Sequence, residues 1–179
     1  MKRYIALLRG INVSGKNKIS MSELKNGFAE LCYEEVTTYL NSGNVIFSSS
    51  ENDKNVLSNE IELMINDKFC LPIPVLIILQ EELEEILKNA PDWWGDDNKE
   101  IYDNLIFLMP PLSFTEFFNK VGNPNAEYEK VHPYKNVVFW SFNRKDYQKT
   151  NWWRRTANAL VSGKITIRTA NTIKKIVDM

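Results

Sequence analysis

One histidine, His132, and two cysteines, Cys32 and Cys70, are all that a chain of 179 residues offers a nitrogen- or sulfur-bound metal. A zinc site needs four such ligands, or three and a water, so that chemistry is excluded. A magnesium ion held by carboxylates is not. The two thiols lie far apart at the ends of helical patterns, which predicts free, buried side chains rather than a disulfide. No apolar run nears the roughly 18 residues of a membrane span, and the apolar part of Met1–Arg9 is too short for a secretory signal. A cytoplasmic protein with no membrane partner is the expectation. Net charge is nearly absent too, at −1, but it is unevenly spread. Residues 1–18 hold five Lys/Arg and no acid, and residues 144–179 hold nine against Asp146 and Asp178. If the fold brings these segments together, a basic face forms on an acidic body, an arrangement suited to an anionic partner; otherwise the charges are scattered and solvated.

What is present is an ordinary globular composition, 44% hydrophobic and 25% charged, so disorder is not expected. Residues 3–9 read as a buried strand. Ser20-Met21-Ser22-Glu23 has the pattern of a capping box opening a helix with Leu24, Phe28 and Leu31 inward. Residues 34–40 alternate as a strand, and Asn41-Ser42-Gly43-Asn44 turns the chain into a further strand at Val45-Ile46-Phe47. A helix over 53–69 buries Leu57, Ile61, Met64 and Ile65. Pro72 and Pro74 flank the start of a strand at Ile73–Leu79, where proline favours an edge. This order, βαββαβ, is the split βαβ unit. The acidic run from Gln80 opens a linking helix, and Pro91 to Asn98 reads as a boundary.

The order then repeats. A strand over 101–109 leads to a second capping box, Ser113-Phe114-Thr115-Glu116, and a helix showing Phe114, Phe117, Phe118 and Val121. Strands follow at 126–132 and 137–142, then a helix at 150–161 capped by Thr150 or Asn151, in which Trp153, Ala157 and Leu160 share a core face. A strand at 164–168 and a helix capped by Thr169 close the segment. The fold class is α+β: two tandem ferredoxin-like subdomains, 1–79 and 101–179, joined by a helix and loop over 80–100, with a C-terminal helix.

Two polar segments carry the chemistry. Gly10 to Lys16 fits G-x-x-x-x-G-K after a strand, but Asn17 stands where a phosphate loop needs Ser or Thr for magnesium, and the helix starts only at Ser20. A nucleotide triphosphatase is therefore not expected. An anion nest remains, built from Arg9, Asn12, Lys16, Asn17 and Lys18, with Asn41, Ser42 and Asn44 from the hairpin turn and Arg168 from the last strand as contributors. The competing reading is that these residues only shape turns. Aromatic and basic residues interleave from Trp140 to Arg155, a pattern that suits nucleic acid, but no signature of an RNA recognition motif accompanies it. His132 precedes Pro133 at a strand end, and no Ser or Cys nucleophile can be paired with it.

The segments Leu7–Ile19 and Tyr39–Phe47, with Thr166–Ile173, closely resemble a bacterial family catalogued as domain of unknown function 1697. The resemblance runs over nearly the whole chain and implies two tandem ferredoxin-like subdomains, but no established activity. The chain departs from the family at Ser14, usually glycine, and at Arg168–Thr172, usually Arg-Asn-Trp-Asn-Thr. The expectation is thus a protein binding a phosphorylated small molecule or nucleic acid through its first loop. The alternatives are an enzyme acting on a phosphorylated metabolite, and an assembly module pairing through sheet edges. No motif names a cofactor or sets an oligomeric state.

Overall fold

The computed structural model describes the backbone of residues 1–179 and the side chains of all but 159 and 160. The chain divides into two compact units, residues 1–85 with 176–179, and residues 86–175. Among the described residues no helix is long and apolar enough to cross a membrane.

The first unit holds β1 (Lys2–Leu8), α1 (Met21–Glu30), β2 (Glu34–Tyr39), β3 (Asn44–Ser49), α2 (Lys54–Phe69) and β4 (Val75–Leu79). Its strands make an antiparallel sheet in the order β2-β3-β1-β4. The helical side of β1 and β3 presents Tyr4, Ala6, Leu8, Val45 and Phe47 to Leu24 and Phe28 of α1 and to Leu57, Ile61 and Ile65 of α2. Aromatic rings fill the middle: Tyr33 lies 4.7 Å from Phe47, and Phe28 meets Phe47 edge-on at 5.4 Å. Burial is the largest influence raising the Tyr33 phenol pKa above its usual value, and its hydrogen bond to Glu60 adds to it.

The second unit continues from α3 (Gln80–Lys88), which begins in the first. It holds β5 (Ile101–Leu108), α4 (Phe114–Val121), β6 (Glu129–Tyr134), β7 (Val137–Asn143), a 3₁₀ turn at Arg144–Lys149, α5 (Trp152–Thr156), α6 (Ala159–Ser162), β8 (Ile165–Thr169) and most of α7 (Ala170–Val177). The sheet order, β6-β7-β5-β8, repeats that of the first unit. Both capping serines act as expected: Ser20 Oγ accepts from the Glu23 N–H, and Ser113 with Glu116 forms the complete reciprocal box. Two four-stranded antiparallel sheets, each with helices, are consistent with two ferredoxin-like subdomains.

Three expectations fail. The helix expected at 150–161 is broken, because α5 ends at Thr156 and α6 begins at Ala159. The spacing of Trp153 therefore does not carry it inward: it is 40% exposed while Trp152 is fully buried. Leu160, expected on the same face, lies outside the described side chains. Cys32 and Cys70 are free as expected but exposed, each in the left-handed conformation just past a helix end, where the chain turns away from the core.

The sheet faces and edges also bear on function. Residues opposite the helical sides, including Ile5, Leu7, Ile46, Leu105, Phe107 and Phe139, are fully buried, so neither sheet offers an open platform. At the β4 edge, Glu62 accepts from the Val75 N–H and Ser58 donates to its carbonyl, while Glu82 accepts from Leu79. The β2 edge is broken by a bulge between Glu34 and Thr37, and β6 carries Pro133. Such edges discourage strand addition from another chain.

Candidate functional site

The first loop is shaped by its own amides. Five residues between positions 10 and 17 have left-handed backbone: Gly10, Asn12, Ser14, Gly15 and Asn17. Asparagine tolerates this conformation better than most residues because its short side chain bonds locally. The Asn12 Nδ2 donates to the carbonyls of Ile19 (3.0 Å) and Asn41 (2.9 Å), and its Oδ1 accepts from the Ile19 N–H (2.9 Å). That one side chain closes the loop and ties it to the hairpin turn. Asn17 Nδ2 donates to the Gly10 carbonyl, and Asn44, fully buried, donates to Tyr39 O and Ser42 Oγ. Replacing Asn12 with alanine removes three bonds and strands a left-handed alanine. We expect a loss of about 2 kcal/mol in urea denaturation; a change below about 0.5 kcal/mol would mean the loop does not depend on it.

These bonds also decide what the loop is not. Lys16 lies exposed in a tight turn whose N–H donates to Val13 O at 2.9 Å, and α1 starts only at Met21. A phosphate loop would put its lysine at the helix start.

A shallow groove of about 570 Å³ is lined by Asn12, Gly15, Lys18, Ile19, Ser20, Met21, Ser22 and Asn41. Of the residues singled out in the sequence, Asn12, Lys18 and Asn41 therefore line one site. Lys16 and Asn17 are exposed on the same loop, and Ser42 is exposed in the turn, but none of them lines the groove. Arg9 is half-buried at the end of β1, with its N–H on Pro74 O, and burial lowers its pKa. Arg168 belongs to the second unit, where its guanidinium donates to Thr166 Oγ1 and the Ile167 carbonyl. Burial pulls its pKa down to about 10, which leaves it charged at neutral pH. Ser20 and Ser22, absent from the expected site, line the groove because it lies at the N-terminus of α1; the capping pattern was the signal for them. Their hydroxyls are 2.8 Å apart, and the N–H groups of Met21 and Ser22 meet no acceptor among the described residues.

The basic tail is largely committed within the second unit. Trp140 and Trp152 are buried, Arg144 stacks over Tyr102 at 4.5 Å, and Lys149 lies over Tyr128 at 4.9 Å. His132 is exposed beside Phe139. Among the described residues no group of three or more His, Cys, Asp or Glu could hold a metal ion.

The family model described as "Protein of unknown function (DUF1697)" matches residues 1–139, which include both polar segments. The chain belongs to the DUF1697 family. Among solved structures, it is similar to the conserved bacterial protein SP0830 from Streptococcus pneumoniae, at 31% identity over 99% of this chain and 97% of that one, with a TM-score of 0.86. A comparison with curated proteins finds no match. For this DUF1697 member, membership fixes kinship and names no ligand or activity.

Proposed function

We propose that the protein is a cytosolic binder of a phosphate-bearing small molecule, held in the groove between the first loop and the Asn41–Asn44 turn. This reading takes the chain as two ferredoxin-like subdomains in tandem, 1–79 and 101–179. One observation carries it: Lys18, Ser20, Met21 and Ser22 line one groove at the start of a ten-residue helix, and the Met21 and Ser22 N–H groups meet no acceptor among the described residues. A helix N-terminus favours an anion through those N–H groups and its positive dipole end, and the ammonium adds a full charge. The groove volume lies in the range of small-ligand sites. Asn12 and Asn41 act as frame rather than as ligands, since Asn12 spends its amide on the loop.

Nucleic acid is the weaker candidate, because the sheet faces on which bases would stack are buried. Assembly through strand pairing is opposed by the capped and bulged edges. The test is a thermal-shift screen of nucleotides, sugar phosphates and short oligonucleotides, followed by calorimetry. A phosphorylated small molecule should raise the melting temperature, and Lys18→Ala should weaken its binding about tenfold without altering the melting point of the free protein, because Lys18 is exposed. Equal affinity in wild type and variant would reject the site. Oligonucleotide binding with a steep salt dependence would favour nucleic acid instead, and turnover of the bound metabolite would make the protein an enzyme.

A further inference from the structure

The second unit contains a cleft of about 400 Å³ whose lining includes Tyr102, Asn104, Trp140, Trp153, Thr156 and Arg168. Two of these side chains are in unusual states for a wall that only packs. Trp153 is 40% exposed yet braced, with Phe142 edge-on at 5.8 Å and Tyr147 edge-on at 5.0 Å. Its indole is held in place while much of it faces solvent. Asn104 is the reverse, a polar side chain only 3% exposed in the middle of β5. Its Nδ2 donates to Tyr102 O at 3.1 Å, and its Oδ1 accepts from no described group. Among the described residues no side-chain nitrogen or oxygen sealed from solvent lacks a partner. The Asn104 oxygen must therefore open onto the cleft. The residue is well fixed, since its carbonyl accepts from Trp94 Nε1 at 2.9 Å and it pairs with Trp140 and Thr169 across the sheet.

A braced aromatic plane and a recessed amide oxygen together ask for a flat ring that carries an N–H donor. A hydrocarbon ligand would dry the Asn104 oxygen and leave it unpaired, which costs binding free energy. A purine with an exocyclic amine satisfies both features. Its face stacks on an indole as any base does, and an asparagine amide pairs with adenine by accepting from the amine while its second N–H faces the ring nitrogen. We propose that this cleft binds an aminopurine nucleoside, with the base against Trp153 and its amine donating to Asn104 Oδ1. The cleft residues all belong to the second unit, so this site stands or falls apart from the Lys18 groove.

The probes are adenosine and purine riboside, which lacks the amine, titrated into the full chain by calorimetry and tryptophan fluorescence. Adenosine should bind, and purine riboside should bind about tenfold more weakly. Trp153→Ala should weaken adenosine about 5- to 100-fold, while Trp153→Phe, which keeps a ring, should retain most of the affinity. Lys18→Ala should leave adenosine binding unchanged. Absence of binding at millimolar adenosine, equal affinity for the two nucleosides, or unchanged affinity in Trp153→Ala would each overturn the proposal. The nucleoside comparison needs no variant and decides the matter even if Trp153→Ala fails to fold.

Discussion

Glu129→Gln should destabilise the protein by about 3 kcal/mol, although neither residue carries a bulk difference. The Glu129 carboxylate is 4% exposed and has no lysine or arginine among its hydrogen-bond partners. It is surrounded by N–H donors. Oε1 accepts from the backbone of Asn125 (2.7 Å) and Asn151 (2.8 Å), Oε2 accepts from Trp140 Nε1 (2.9 Å), and both oxygens lie within 3.4 Å of the Trp152 N–H. A strand residue thus caps α5, whose own Asn151 makes no side-chain cap, and holds the buried Trp152 against Phe117. In glutamine one oxygen becomes an NH₂, which must face either the indole N–H or the two backbone donors. No rotation satisfies all of them. Thermal denaturation should show a fall of roughly 6–12 °C for a chain of this size, while Glu127→Gln, at an exposed neighbour, should change little. If Glu129→Gln melts within about 2 °C of wild type, the carboxylate is not what holds α5.

The second large effect is expected at Gly43. Its φ of +79° favours glycine, and an added Cβ would lie 2.7 Å from the Leu8 Cβ and 2.8 Å from the Ile11 Cδ1. The Leu8 Cβ is next to the backbone of a central strand, so it cannot swing aside as a side-chain tip would. Nor can the turn retreat without loss, because the Gly43 carbonyl accepts from the Leu8 N–H at 2.8 Å. Strain and overlap together predict that Gly43→Ala loses about 2–4 kcal/mol, read as a lower urea midpoint. A loss under about 0.5 kcal/mol would show that the turn can shift to accept the methyl group.

The sheets and most helices are legible because burial leaves a pattern: unbroken apolar runs along β1 and β5, and a 3.6-residue period along α1 and α2. The turn-forming role of Asn12, Asn17 and Asn44 was one of two readings open in the sequence, and each of these amides does bond within its own turn. What escaped depended on distant partners. Glu129 looks like a solvent-facing charge in a polar strand; only the return of residues 150–152 beside it makes it a cap. Trp153 reads as core only if its spacing is counted through a break at 157–158. Arg168 joins the expected site through its charge and its place at a strand-to-helix junction, and neither signal reveals that its guanidinium is buried and bonds Thr166 and Ile167.

Residues 176–179 fold with the first unit: Gln80 Nε2 donates to Val177 O at 2.7 Å, and Arg3 Nη2 donates to Met179 O at 3.1 Å. During synthesis these partners emerge only after the 90 residues of 86–175, an interval of roughly 5–20 s at bacterial and eukaryotic elongation rates. The unit that leaves the ribosome first is therefore completed last: Arg3 of β1 can already reach Glu35 and Ser48 in its own unit, but its bond to Met179 waits until translation has passed the whole of the successor.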